Sequence, residues 1–177
     1  MAGKSSTAKA LVKQLQTEGV AVELLKETTT RPKRESDYSK PEYFFVTEEE
    51  YNKKDFLTSV DFNVASGEIW RYGIEKQDFP ELGVIVSNMY AIDKLLQNPL
   101  PKVLDAVIIY LNISKDEVLR RDKGDRTSQA GDDVIKRIER DINNYNILAE
   151  KWQDNIHNLC CDKLSLEEVV AYIVSII

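Results

Sequence analysis

The chain has 177 residues, 42% hydrophobic and 31% charged, with a net charge of −6 at pH 7. That profile suits one folded globular domain with a full apolar core. Its acidic balance excludes a general nucleic-acid binder, which would carry a basic surface. No stretch is apolar for long enough to span a bilayer, and the first residues lack the apolar segment of a secretory leader. The two cysteines, Cys160 and Cys161, are neighbours, a spacing that makes neither an unstrained disulfide nor a metal site. They are predicted to be reduced, buried residues of a cytoplasmic protein. A lone histidine, His157, excludes any scheme that needs two, and its place in a strand or turn gives it a structural reading.

In chain order, Ala8, Leu11, Val12 and Leu15 recur at helical spacing and predict a helix over residues 5–15, stopped by Gly19. Residues 20–25 form a compact apolar run, read as a buried strand. Residues 28–41 are polar, basic and closed by prolines, which predicts a loop. A short strand follows at 43–46, and Thr47 with Glu50 makes a capping box for a short helix. Alternation of apolar and polar residues around Gly67 predicts a hairpin over 57–72. Strands at 84–86 and 106–111 flank a helix over 90–96 and a turn at 98–101. Ser114 with Glu117 caps the next helix, and residues 122–132, almost without apolar side chains, read as an exposed loop. A long amphipathic helix over 133–152, a last strand at 155–160 and a helix capped by Ser165 and Glu168 complete the pattern. Strands alternating with helices imply an α/β fold with a mainly parallel sheet, whose ligands sit beyond the carboxyl ends of the strands.

Gly3, Lys4, Ser5 and Ser6 open the first helix as the second half of the phosphate-binding pattern G-x-x-x-x-G-K-S/T. In that pattern helix amides hold phosphates, the lysine reaches the β/γ-phosphates and the hydroxyl meets Mg²⁺. The first half of the pattern, and the strand expected before it, are not among the residues present. Further on stands Thr29-Thr30-Arg31-Pro32-Lys33-Arg34, then Asp37 and the run Tyr43-Phe44-Phe45-Val46. Two guanidinium groups three residues apart suit a monophosphate, whose oxygens accept paired hydrogen bonds.

That segment resembles the monophosphate-binding stretch of guanylate kinases, which has T-T-R-x-x-R, an acidic residue and an aromatic strand at the same intervals. The likeness runs in order over residues 3–152. It implies a P-loop-type parallel sheet flanked by helices, a small, partly antiparallel monophosphate-binding lobe over 28–73, and a lid over 120–137. By the same resemblance Arg31, Arg34, Asp37, Tyr43 and Tyr72 bind the monophosphate. Asp61 falls near the position of a guanine-binding acid. Gly3, Lys4, Ser5 and Ser6 bind ATP, Ser5 meets the metal, and Lys4, Arg126 and Arg137 act on the transferring group. Four departures stand out: the half P-loop, Ile74 in place of a base-reading Ser or Thr, Asn88 in place of a carboxylate, and a short connection over 77–83.

The function this implies is ATP-dependent, Mg²⁺-assisted phosphoryl transfer to a nucleoside monophosphate, GMP or dGMP first. The partners are nucleotides, neither nucleic acid nor membrane, and monomer and homodimer both remain open. The alternative is a catalytically impaired relative that binds a nucleotide or a protein.

Overall fold

A computed structural model describes residues 3–39, 42–63, 67–76, 80, 82–97, 106–121, 131–152 and 156–177. In chain order the elements are α1 (Lys4–Thr17), β1 (Glu23–Leu25), β2 (Thr28–Thr29), α2 (Glu35–Ser39), β3 (Phe44–Phe45), α3 (Glu48–Asn52), β4 (Phe56–Asn63) and β5 (Ile69–Glu75). There follow β6 (Gly83–Ile85), α4 (Met89–Leu96), β7 (Ile108–Asn112), α5 (Lys115–Arg121), α6 (Gly131–Lys151), β8 (Ile156–Cys160) and α7 (Leu166–Val174). The chain divides into two compact units, Met1–Gln14 with Ala106–Ile177, and Leu15–Asp105, so the division falls inside α1.

In the unit Leu15–Asp105, β1 and β6 pair in parallel, with Leu24 opposite Val84. A second, four-stranded sheet has the order β3-β2-β5-β4, parallel between β2 and β3 and antiparallel elsewhere. The register sets Thr29 opposite Tyr72, Val60 opposite Tyr72 and Thr58 opposite Ile74. Because side chains alternate along a strand, Thr29, Thr58, Val60, Phe62, Tyr72 and Ile74 share one face. Phe62 meets Tyr72 there edge-on at 5.5 Å. Thr28, Ser59, Asp61, Arg71, Gly73 and Glu75 take the other.

The short helix α3 packs on that second face. Its Thr47–Glu50 capping box is formed on both sides, and Tyr51 stacks on Phe56 with ring centroids 4.2 Å apart. Gly73 lies beneath them: a Cβ there would come within 2.6 Å of both Phe56 Cδ1 and Tyr51 Oη. Any side chain there would force one or both rings to shift. Between the sheet and α3, Glu75 is 4% exposed, and Lys54 Nζ reaches its two oxygens at 2.7 and 2.8 Å. Thr28 Oγ1 donates to the same carboxylate at 2.6 Å.

In the other unit β7 and β8 pair in parallel, from Ile108 opposite Ile156 to Asn112 opposite Cys160. Tyr110 stacks on Tyr145 of α6 at 3.9 Å. The core of this unit includes Ile108, Val118, Leu148, Leu159, Val170 and Ile173, all buried. Ser165 and Glu168 cap α7 reciprocally.

Several expectations change. The mainly parallel sheet is divided among the described residues: β1 pairs with β6 and β7 with β8 in separate two-stranded sheets, and β2 with β3 inside the four-stranded one. Residues 28–41 are not all loop: β2 is central in its sheet and α2 follows it. Two buried threonines form a strand because their hydroxyls find acceptors, Glu75 for Thr28 and the Arg71 carbonyl for Thr29. Only residues 23–25 of the run 20–25 form a strand, with no side chain of the three fully buried. Of the two cysteines Cys161 is buried but Cys160 is exposed, since strand alternation turns neighbours to opposite sides. Helix α6 begins at Gly131, two residues earlier than expected. The turn at 98–101 and the loop over 122–130 lie outside the described residues.

Candidate functional site

The chain leaves β2 at Thr29 and turns at once, and its side chains then depend on one another. Thr29 is fully buried; its Oγ1 donates to the Arg71 carbonyl at 2.7 Å and accepts from the Arg31 amide at 3.1 Å. Arg31, 5% exposed, passes its guanidinium to Asp37 Oδ2 at 2.9 Å and to the Pro32 carbonyl at 3.0 Å. The same Asp37 oxygen accepts from the Arg34 amide at 2.7 Å. One carboxylate thereby fixes the turn that carries both arginines. Burial alone would raise the Asp37 carboxyl, but the Arg34 amide and the Arg31 guanidinium outweigh it and hold it below its ordinary value.

Aromatic rings frame this turn. The Arg31 guanidinium lies 5.5 Å from the Tyr43 ring and 5.2 Å from the Phe45 ring. Tyr43 meets Tyr72 edge-on at 5.6 Å. Burial, with the nearby Glu27 charge, pushes the Tyr43 phenol up to about 12. Tyr72 is raised by burial as well, against the opposing fields of Arg31 and Arg34. Both phenols thus remain protonated donors at any working pH. Arg31, Tyr43 and Tyr72 come together, the charge of Arg34 acts on Tyr72 and Asp37, and Asp37 holds the turn that carries both arginines.

Asp61 is not part of it. On β4 it lies on the face away from Tyr72, with Arg71 Nε 3.7 Å from its Oδ1. It lines a polar cavity of 340 Å³ together with Ser59, Asn52, Lys54 and Arg71. Ile74, only 1% exposed, is a core residue on the Tyr72 face. Asn88 is the N-cap of α4, its side chain accepting from the Ala91 amide at 3.1 Å. That accounts for an amide at this position by local capping.

In the other unit Gly3, at φ +80°, stands before α1, and the Thr7 amide bonds back to its carbonyl at 2.9 Å. Lys4 and Ser6 are exposed, Ser5 is half-buried, and all three lie in the first turn of a 14-residue helix. Beside this turn is a cavity of 240 Å³, lined among others by Gly3, Ser6, Arg121, Leu164 and Val169. Arg121 is held there by Glu117 at 2.7 Å and by the Cys161 carbonyl at 3.0 Å. Bonds from Arg120 and Arg121 draw the Glu117 carboxyl down to about 2. Among the described residues no group of three or more His, Cys, Asp or Glu is placed to hold a metal ion. Arg126 lies outside the described residues, and Arg137 falls on α6 with its side chain outside them. No described helix is long and apolar enough to cross a membrane.

Sequence reasoning missed Glu27 and Ser87, and quoted Thr29 in its motif without giving it a role. Glu27 is 5% exposed, and Ser87 Oγ donates to its Oε1 at 2.7 Å. No local pattern marks this pair, because its members are 60 residues apart.

No family model matches the chain. No curated protein matches it either. Among solved structures, its fold is similar to the crystal structure of guanylate kinase from Anaplasma phagocytophilum. The TM-score is 0.61 at 17% identity, over 98% of this chain and 79% of that one. The likeness is one of fold.

Proposed function

We propose that this chain transfers the γ-phosphoryl group of ATP to a nucleoside monophosphate, GMP or dGMP in preference, giving the diphosphate and ADP. The observation that carries the reading is the cluster of Arg31, Arg34, Tyr43 and Tyr72 on a turn pre-set by Asp37. Two guanidinium groups and two protonated phenols offer donors to a dianion, whereas they would repel or ignore a cation. A phosphate oxygen of the bound monophosphate attacks the γ-phosphorus of ATP, and the bond to the β–γ bridging oxygen breaks to release ADP. Such a transfer asks for positioning and positive charge more than for a general base, which accords with a chain that has a single histidine.

In the other unit, the first turn of α1 would receive the ATP phosphates through its amides and Lys4. The adjoining cavity, with the Arg121 guanidinium and apolar Leu164 and Val169, suits a heteroaromatic base. Mg²⁺ carried by ATP, with Ser5 as a protein-side oxygen, would offset charge on the phosphates. Arg126 and Arg137 would add positive charge at the transferring group. A non-catalytic, nucleotide-binding reading draws on Asn88, whose side chain caps a helix.

The test is a coupled assay for ADP formed from ATP–Mg²⁺ in the presence of GMP, dGMP, AMP or dTMP, with the wild type and Lys4→Ala. Monophosphate-dependent ADP, lost in Lys4→Ala, is the expected result. Monophosphate binding with no ADP from any of the four would support the non-catalytic reading instead.

A further inference from the structure

Consecutive threonines, Thr28, Thr29 and Thr30, tie β2 and its exit to β5. Thr29 Oγ1 donates to the Arg71 carbonyl at 2.7 Å, and Thr30 Oγ1 accepts from the Arg71 amide at 3.0 Å. Both bonds end on one residue, so by themselves they leave the short strand Thr28–Thr29 free to pivot about Arg71. Thr28 supplies a second point. Strand alternation turns it to the face opposite Thr29, and its Oγ1 donates at 2.6 Å to Glu75, at the far end of β5 from Ile69.

Glu75 is itself held still. Lys54, just after α3, reaches Oε1 at 2.7 Å and Oε2 at 2.8 Å, and Glu75 is 4% exposed. A buried ion pair contributes little net stability compared with apolar packing of the same volume. What this one supplies is a fixed acceptor: two bonds to Lys54 set the carboxylate's orientation, and its charge strengthens the bond from Thr28. Thr28 and Glu75 stand on the face away from Tyr72. Their link to the turn runs along the chain, because Thr29 follows Thr28 and its Oγ1 accepts from the Arg31 amide at 3.1 Å.

We propose that Glu75 is a positioning residue of the monophosphate site, which holds Thr28 from the reverse face of the sheet and thereby fixes the exit of β2 that presents Arg31 to the phosphate. Neither Glu75 nor Thr28 meets the ligand; Lys54 keeps the carboxylate charged and in place. The proposal rests on the monophosphate reading above and deepens it.

Calorimetric titration of GMP and ribose 5-phosphate, well below the melting midpoint, into the wild type, Thr28→Val and Thr28→Ser tests it. Valine keeps the branched shape without the donor, and serine keeps the donor. Thr28→Val should weaken both ligands by about tenfold, the worth of one hydrogen bond to a charged group, and Thr28→Ser should stay within about twofold of the wild type. An equal loss for the two ligands places the effect at the phosphate, which both carry. A Thr28→Val protein with a lower urea midpoint but wild-type affinities has lost only stability, and that result overturns the proposal alone. So does a loss in Thr28→Ser as large as in Thr28→Val, or a loss confined to GMP. Failure of the wild type to bind either ligand overturns the proposal together with the monophosphate reading. Should Thr28→Val fail to fold, Glu75→Asp decides, since it keeps the charge for Lys54 but draws the carboxylate back from Thr28. Unchanged affinity for ribose 5-phosphate then overturns the proposal, and a loss of about tenfold supports it.

Discussion

Arg31 serves two partners in turn, a carboxylate in the free protein and a phosphate in the proposed complex. Removing it outright would leave the buried Asp37 without its ion-pair partner, at a cost of about 3 kcal/mol. Arg31→Lys keeps the charge but loses the planar fork, so it separates recognition from folding. We expect it to weaken GMP binding by about tenfold to a hundredfold, read by calorimetry, with a much smaller loss in a urea melt. The clamp also has a pH signature. The Asp37 carboxyl is held below its ordinary value in the folded state, so its contribution is present above the unfolded value of about 3.9 and is lost as pH falls through the folded one. Urea midpoints of the wild type should drop below about pH 4, and those of Asp37→Asn should drop less. Parallel curves for the two proteins would show that the pair does not form in solution. Glu117 offers an independent check: its side-chain carbon signal should titrate at about 2, and a midpoint near the ordinary carboxylate value would dissolve the Arg120–Glu117–Arg121 cluster. Arg31, Arg34 and Tyr43 could be singled out because they stand in one short segment, whereas Tyr72 entered only through the resemblance. Asp37 was legible as a member, though not as the clamp, since its bond to Arg31 closes only when α2 forms. Glu27 was invisible, because its partner Ser87 is 60 residues away.

At the scale of elements, the short segments stand on local chemistry and the central strand on distant chemistry. The capping boxes Thr47–Glu50 and Ser165–Glu168 could be read directly, since both partners lie within one turn. Strand β2 could not: Thr28 finds its acceptor on Glu75, 47 residues away, and nothing in a run of threonines announces that. The hairpin of β4 and β5 follows from period-two alternation, but its close contact with α3 depends on Gly73. Gly73→Ala should cost about 1–3 kcal/mol in a denaturant melt, because Phe56 and Tyr51 must shift to admit the methyl group. The neighbouring Tyr72 should move with the strand, so GMP affinity should fall as well. A substitution that leaves the melt unchanged would place the Tyr51–Phe56 stack elsewhere.

At the scale of the whole molecule, alternation of strands and helices was enough to assign an α/β fold. It was not enough to pair the strands, because two of the parallel pairs join strands distant in sequence: β1 with β6 and β7 with β8. Similarity to a solved guanylate kinase at 17% identity fits a fold held by burial pattern, with the identity of most residues free to change. The proposed division of labour assigns the monophosphate to the unit Leu15–Asp105 and the ATP phosphates to the first turn of α1. Its central claim is that the turn between β2 and β3 grips a nucleoside by its phosphate. The most direct measurement is a titration of GMP, with guanosine as the control, followed in amide-proton spectra of the full chain. GMP should shift the amide signals of Thr29, Arg31, Arg34 and Tyr43 and saturate, while guanosine leaves Arg31 and Arg34 unmoved. Equal shifts from GMP and guanosine, or shifts from GMP that spare all four residues, would contradict the account.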